Sequence, residues 1–96
     1  MKKSIIDRAV KLNNKLKQDT VLLEPREFMD AAVIRYRRTK KGYHLVYGFD
    51  ELIQAFMKQG MNEEEAVEWI GYNTERGIPY MASEGVEPKI AYRKME

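Results

Sequence analysis

The chain has 96 residues, 44% of them apolar and 33% charged, enough for one small hydrophobic core within a single domain. It contains no cysteine, which excludes disulfides, thiolate catalysis and cysteine-based zinc sites and favours a reducing cytoplasm over secretion. Net charge is +2, from 17 Lys and Arg against 15 Asp and Glu, too even to compel a nucleic-acid partner by itself. No apolar run approaches the roughly 18 residues of a membrane span, so no membrane partner is expected. Met1-Lys2-Lys3 is basic, but the alternation of charge with aliphatics from Ser4 to Gln18 is not that of a signal peptide.

In chain order, Ile5, Ala9, Leu12 and Leu16 recur at helical spacing, with Ile6 and Val10 widening the stripe and Lys and Asn on the other face. An amphipathic helix is predicted from about Ser4 to Gln18, ending at Asp19-Thr20. Pro25 suits the first turn of a brief helical segment that carries Phe28 and Met29. Ala32 to Arg38 alternates, with Ile34 and Tyr36 on one face and Val33, Arg35 and Arg37 on the other. Thr39-Lys40-Lys41-Gly42 supplies a turn, and Tyr43, Leu45 and Tyr47 share a face of the returning strand, giving a β-hairpin.

Asp50 reads as the N-cap of a helix that buries Leu52, Ile53, Phe56 and Met57. Gly60 stands at its C′ position, with Met61 placed to contact Phe56. Asn62 then caps a second helix, Glu65 completing a capping box and Ala66, Val67, Trp69, Ile70 and Asn73 turned inward. Gly77 is expected to stop that helix and Pro79 to prevent its resumption. A polar stretch from Ala82 to Glu87 leads to a short strand in which Ile90 and Tyr92 share a face. The order helix, hairpin, helix, helix, strand predicts an α+β fold. A small antiparallel three-stranded sheet would be covered on one face by the two middle helices, with residues 1–30 as an N-terminal helical extension.

Two charge clusters stand out. Residues 35 to 41 hold five cations in seven positions, Arg35, Arg37, Arg38, Lys40 and Lys41, interleaved with Tyr36 and followed by Tyr43. Such an arrangement can contact phosphates and stack on bases, or meet an acidic protein surface. It is also what a solvated hairpin carries to discourage edge pairing. Residues 63 to 68 hold four glutamates in six, Glu63, Glu64, Glu65 and Glu68. Three occupy a helix's first turn, where the macrodipole favours negative charge, so a structural role is expected and no metal site. His44 is the only histidine, which excludes two-His zinc motifs, and its place beside Tyr43 and Leu45 puts it on an outer or edge face. Ser4 and Ser83 lie in no nucleophile context, and no glycine-rich phosphate loop occurs. No catalytic residue, metal ligand or cofactor is assigned. Asn73-Thr74 is a pair of poor propensity for the last turns of a helix, and it stands between Tyr72 and Arg76, the latter placed to serve the helix end or a carboxylate. These residues are expected either to serve loop, strand or helix-end groups or to form a polar recognition patch with Tyr80.

From Tyr47 to Tyr92 the chain resembles a family of small uncharacterised phage and prophage proteins. The resemblance rests on Tyr47, Asp50, Gly60-Met61, Glu64-Glu65-Ala66, Trp69-Ile70, Tyr72-Asn73-Thr74, Arg76 and Pro79-Tyr80, with Ile90 and Tyr92 in the closing strand. It covers about half of the chain. The first thirty residues and the basic hairpin turn lie outside it, and Gly71 stands where the pattern carries an acidic or polar residue. The resemblance implies a phage-type origin and a fold, and no enzyme activity; with the basic hairpin it leads to the expectation of a non-enzymatic accessory protein in the cytoplasm of a host bacterium. Its partner would be a host or phage protein or a nucleoprotein complex, in host takeover or counter-defence such as inhibition of a CRISPR effector. The alternative is a small nucleic-acid-binding regulator that uses residues 35 to 41, as a homodimer through the first helix. The partner-binding residues expected on either reading are Arg35, Arg37, Arg38, Lys40 and Lys41, with Tyr72, Asn73 and Arg76.

Overall fold

The first helix runs α1 (Lys2–Lys15), and its turns bury Ile6, Ala9 and Asn13. This computed structural model describes residues 2–92; Met1 and residues 93–96, and with them part of the basic amino terminus read above, lie outside it. After α1 come α2 (Arg26–Met29), a 3-10 turn (Asp30–Ala32), β1 (Val33–Arg38), β2 (Tyr43–Gly48) and α3 (Phe49–Lys58). They are followed by α4 (Glu63–Trp69), a π-helical segment (Ile70–Glu75), α5 (Arg76–Met81) and β3 (Lys89–Ala91). The class is α+β, in the order expected.

The three strands lie in the order β1-β2-β3. β1 and β2 form the antiparallel hairpin, with Tyr36 opposite Leu45 and Arg38 opposite Tyr43. β3, however, runs parallel to β2, setting Val46 beside Lys89 and Gly48 beside Ala91, so the sheet is mixed rather than antiparallel. A parallel neighbour needs a crossover of about a dozen residues or more. The helical stretch after β2 supplies one and returns the chain to the end where β2 began.

Coverage of the sheet also differs from expectation. The face bearing Leu45, Tyr47 and Val33 is packed by α1, whereas α3 and α4 pack chiefly on each other and extend the same core past the strands. The N-terminal helix packs on the body, the role favoured for its apolar stripe over pairing with a second copy or a partner: Ile6 and Ala9 share one cluster with Leu45, Leu52, Phe56 and Ile70. Its buried stripe is rotated from the one anticipated. Leu16 is exposed, while Asn13, expected on the polar face, is fully buried. The small Ala9 lets the helix approach closely, and burying a residue such as Ile6 contributes about 2 kcal/mol.

Asn13 is admitted because every donor it brings is used. Its Nδ2 donates to the Tyr43 carbonyl at 2.8 Å and to Thr20 Oγ1 at 2.7 Å. Its Oδ1 accepts from the Tyr43 amide at 2.7 Å. Tyr47, also fully buried, satisfies its hydroxyl by accepting from the Leu23 amide at 3.0 Å. Burial pushes the Tyr47 phenol up to about 12, because the phenolate would be stripped of water.

Local signals at the helix ends behave as read in two places and not in two others. Gly60 has a φ of +105°, and the Met61 and Gly60 amides reach back to the Phe56 and Met57 carbonyls in a Schellman arrangement. Asn62 and Glu65 form the reciprocal capping box. In contrast, α3 starts at Phe49 with Gly48 at the N-cap, which moves Asp50 into the first turn. Nor does the later helix stop at Gly77: it continues through the π-helical segment into α5, with Pro79 inside. In a π turn each amide reaches back five residues. The return to α spacing leaves a carbonyl without an amide, and proline, which has no amide to offer, fits such a register change.

Candidate partner-binding surfaces

The five cations of residues 35 to 41 do not form one surface. Pairing shifts by one residue between Val33 and Arg35, an irregularity that absorbs Ile34. Val33 and Tyr36 consequently share the core face, opposite Tyr47 and Leu45, and Arg35 and Arg37 lie on the other, opposite Val46 and His44. The expected pairing of Ile34 with Tyr36 and of Val33 with the arginines is thus reversed at the start of the strand. Arg38 falls on the core side beyond the end of the packed region, its guanidinium 5.6 Å from the centre of the Tyr43 ring. Tyr43 in turn meets Tyr36 edge-on at 5.7 Å. Arg37, Arg38 and Lys40 are exposed, and none of the three is ion-paired among the described residues.

Lys41 does not belong with them. Its ammonium donates to the Ala82 carbonyl at 2.6 Å and to the Glu87 carboxylate at 3.1 Å, which fastens the hairpin turn to the segment before β3. Lys41, expected among the partner-binding cations, is thus engaged within the chain by a contact that the sequence separation hides.

His44 lies on the central strand, on the face away from the core with Arg37, yet it is only 2% exposed because the segment before β3 covers it. Its Nδ1 lies 2.7 Å from the Glu87 carbonyl, which can only accept, so that nitrogen carries a proton. Its Nε2 lies 2.6 Å from Thr39 Oγ1. With both nitrogens engaged, the imidazole ties the hairpin to residue 87. Desolvation pushes the Glu87 carboxyl up, but hydrogen bonds from its own backbone amide and from Lys41, with the charges of Lys41 and His44, outweigh it and hold the group below the ordinary carboxylate range.

The other expected residues lie along the helix that follows Asn62. Glu63, Glu64 and Glu65 occupy its first turn, and no group of His, Asp or Glu among the described residues is arranged to hold a metal. Asn73 donates to the Trp69 carbonyl of its own helix at 3.2 Å, rather than to a loop or strand. Arg76 places its guanidinium 4.8 Å over the Tyr72 ring, rather than on a carboxylate or helix end. Ile70 and Thr74 take the inward positions, so Val67, Trp69 and Asn73, expected inside, are exposed. Trp69 keeps one contact with the core, its ring 6.2 Å from Phe56.

Tyr72, Asn73 and Arg76 are thereby gathered on one surface, and a groove beside them is lined by Glu68, Gly71, Tyr72 and Arg76. Arg37, Arg38 and Lys40 stand apart on the β1 edge and its turn, while β3 forms the opposite edge. Sequence reasoning missed Trp69 as a surface residue of the first group, since it fits a core stripe in a regular helix. Comparison with protein-family models, curated proteins and solved structures finds no match. No helix among the described residues is long and apolar enough to cross a membrane.

Proposed function

We propose that this chain is a non-enzymatic binding module, a phage or prophage accessory protein that docks on a macromolecular partner in the host cytoplasm. Host takeover or counter-defence, such as inhibition of a CRISPR effector, is the setting that fits the phage-type origin implied by the resemblance across Tyr47 to Tyr92. One observation carries the choice of surface: Arg37, Arg38 and Lys40 stand exposed and without ion pairs among the described residues, on a hairpin braced by Lys41 and His44. A braced hairpin loses little conformational freedom on docking, so its cations bind an acidic surface at low entropic cost. Self-association through α1 is not part of the proposal, because Ile6 and Ala9 are spent on the sheet.

A second reading, a nucleic-acid-binding regulator, is favoured by the guanidinium of Arg38 over Tyr43 and the Tyr36–Tyr43 pair beneath it. The two separate by experiment. Tagged protein should recover its partner from host extract, and the triple variant Arg37→Ala, Arg38→Ala, Lys40→Ala should lose it while melting as the parent does. Recovery undiminished by the triple variant would remove the hairpin from the site. DNA and RNA titrations across salt decide the second reading. Three phosphate contacts give a log–log slope of about −3, and no binding near physiological salt ends it.

A further inference from the structure

Met61, Trp69 and Tyr72 wall a groove of about 280 Å³ on the outer side of α4, with Glu65, Glu68 and Asn73 along it. Trp69 is 46% exposed and Tyr72 62%. Ala66, Ile70 and Thr74 take the inward positions, which leaves Trp69, at the end of α4, and Tyr72, in the π-helical segment, to solvent. π turns give up regular hydrogen-bond geometry and are frequently found at functional sites.

The charged groups that line this groove, Glu65 and Glu68, are acidic, while Arg76 stands over the Tyr72 ring beside it. Glu63, Glu64, Glu65 and Glu68 share the helix, and none is ion-paired with a basic side chain among the described residues. Glu65 gives one carboxylate oxygen to the Asn62 amide, but Glu68 has no part in the cap. The faces of aromatic rings are the negative ends of their quadrupoles, so a groove of indole, phenol and carboxylate attracts a cation and repels phosphate. The chain already makes one such contact with itself, the Arg76 guanidinium over Tyr72.

We propose that this groove is a second interaction surface, opposite in charge to the hairpin. It takes an Arg or Lys side chain from a basic segment of a partner protein, the cation lying against Trp69 and Tyr72 with Glu68 as its counter-ion. The assignment does not depend on the role of the hairpin.

Trp69 is the only tryptophan of the chain, so its emission reports the groove directly. The full chain is titrated at low salt with an acetylated hexapeptide of alternating arginine and alanine, and with the corresponding glutamate peptide as control. The arginine peptide should change Trp69 emission saturably and the glutamate peptide should not. Affinity should fall about three- to tenfold in Glu68→Gln and in Tyr72→Ala, and survive in Tyr72→Phe, which keeps the ring. Thermal melts of the three variants, all at exposed positions, check that they fold. No emission change, or a change that Glu68→Gln and Tyr72→Ala leave intact, overturns the proposal. Sedimentation at the same concentrations tests the other occupant. An oligomer that both Glu68→Gln and Arg37→Ala dissociate would overturn the peptide assignment and give the groove to the basic hairpin of a second copy.

Discussion

Asn13 meets Tyr43 as a neighbouring strand would, accepting from its amide and donating to its carbonyl, from the side chain of a helix. The approach is so close that a Cβ on Gly42 would lie 2.7 Å from the Asn13 Oδ1, which is why the hairpin turn needs glycine at that position. Replacing Asn13 by Asp keeps the shape but removes both donors: the Thr20 hydroxyl can turn its proton to the carboxylate, whereas the Tyr43 carbonyl is left facing it without a donor. Each buried group left without a partner costs roughly 1–3 kcal/mol, so Asn13→Asp should lose about 3 kcal/mol in urea unfolding. A loss under about 1 kcal/mol would mean that water replaces the side chain. Nothing in the sequence around Asn13 marks it out from Asn14, which is exposed one position later. The distinction depends on which face of α1 meets the sheet.

At the scale of the element, α1 closes with the bonds of a Schellman motif, the Gln18 amide to the Asn13 carbonyl at 2.9 Å and the Lys17 amide to the Asn14 carbonyl at 3.0 Å. The left-handed residue in it is Lys17, with a φ of 59°. A side chain there meets the penalty that L-residues pay in that region and glycine does not, about 1 kcal/mol. Lys17→Gly should therefore stabilise the protein and raise its Tm by roughly 4–8 °C, read by a thermal melt. An unchanged or lower Tm would show that unfolded-state entropy offsets the relief. The ends of α3 and α4 were legible because Gly60-Met61 and Asn62 to Glu65 satisfy their own backbone groups within a few residues. The continuation past Gly77 was not. Glycine and proline are read as a stop on the premise of regular α spacing, and the π-helical segment removes that premise.

Across the whole molecule, three contacts bind the segment before β3 to distant parts of the chain. The Val86 amide donates to the Asp19 carbonyl at 2.7 Å, Lys41 reaches Ala82 and Glu87, and His44 donates to the Glu87 carbonyl. Glu87 is the common member of two of them, and its folded carboxyl is held below its ordinary value. The stabilisation from Glu87 is accordingly present above the ordinary carboxylate range, near pH 4, and is lost as pH falls through the depressed folded value. Glu87→Gln should be less stable than the parent at neutral pH and should lose less on acidification, so the two unfolding curves converge at low pH. A constant difference between them from neutral pH down to about pH 2 would show that the Lys41–Glu87 pair is energetically silent.

What the sequence determined by itself was local: the α+β order of elements, the hairpin, the capping box at Asn62, the left-handed Gly60 and the presence of two oppositely charged clusters. Each follows from groups within a few positions of one another, whose spacing and hydrogen-bonding needs are written in the chain. The tertiary structure alone decided that β3 runs parallel and that α1 covers the sheet. It alone decided that Lys41 and His44 are consumed by Glu87, and that Trp69 and Tyr72 face outward beside Glu68. All four depend on groups far apart in the chain or on a helix register set by packing. A change of one residue in strand phase or helix turn moves a side chain between core and surface without altering the pattern from which it was read.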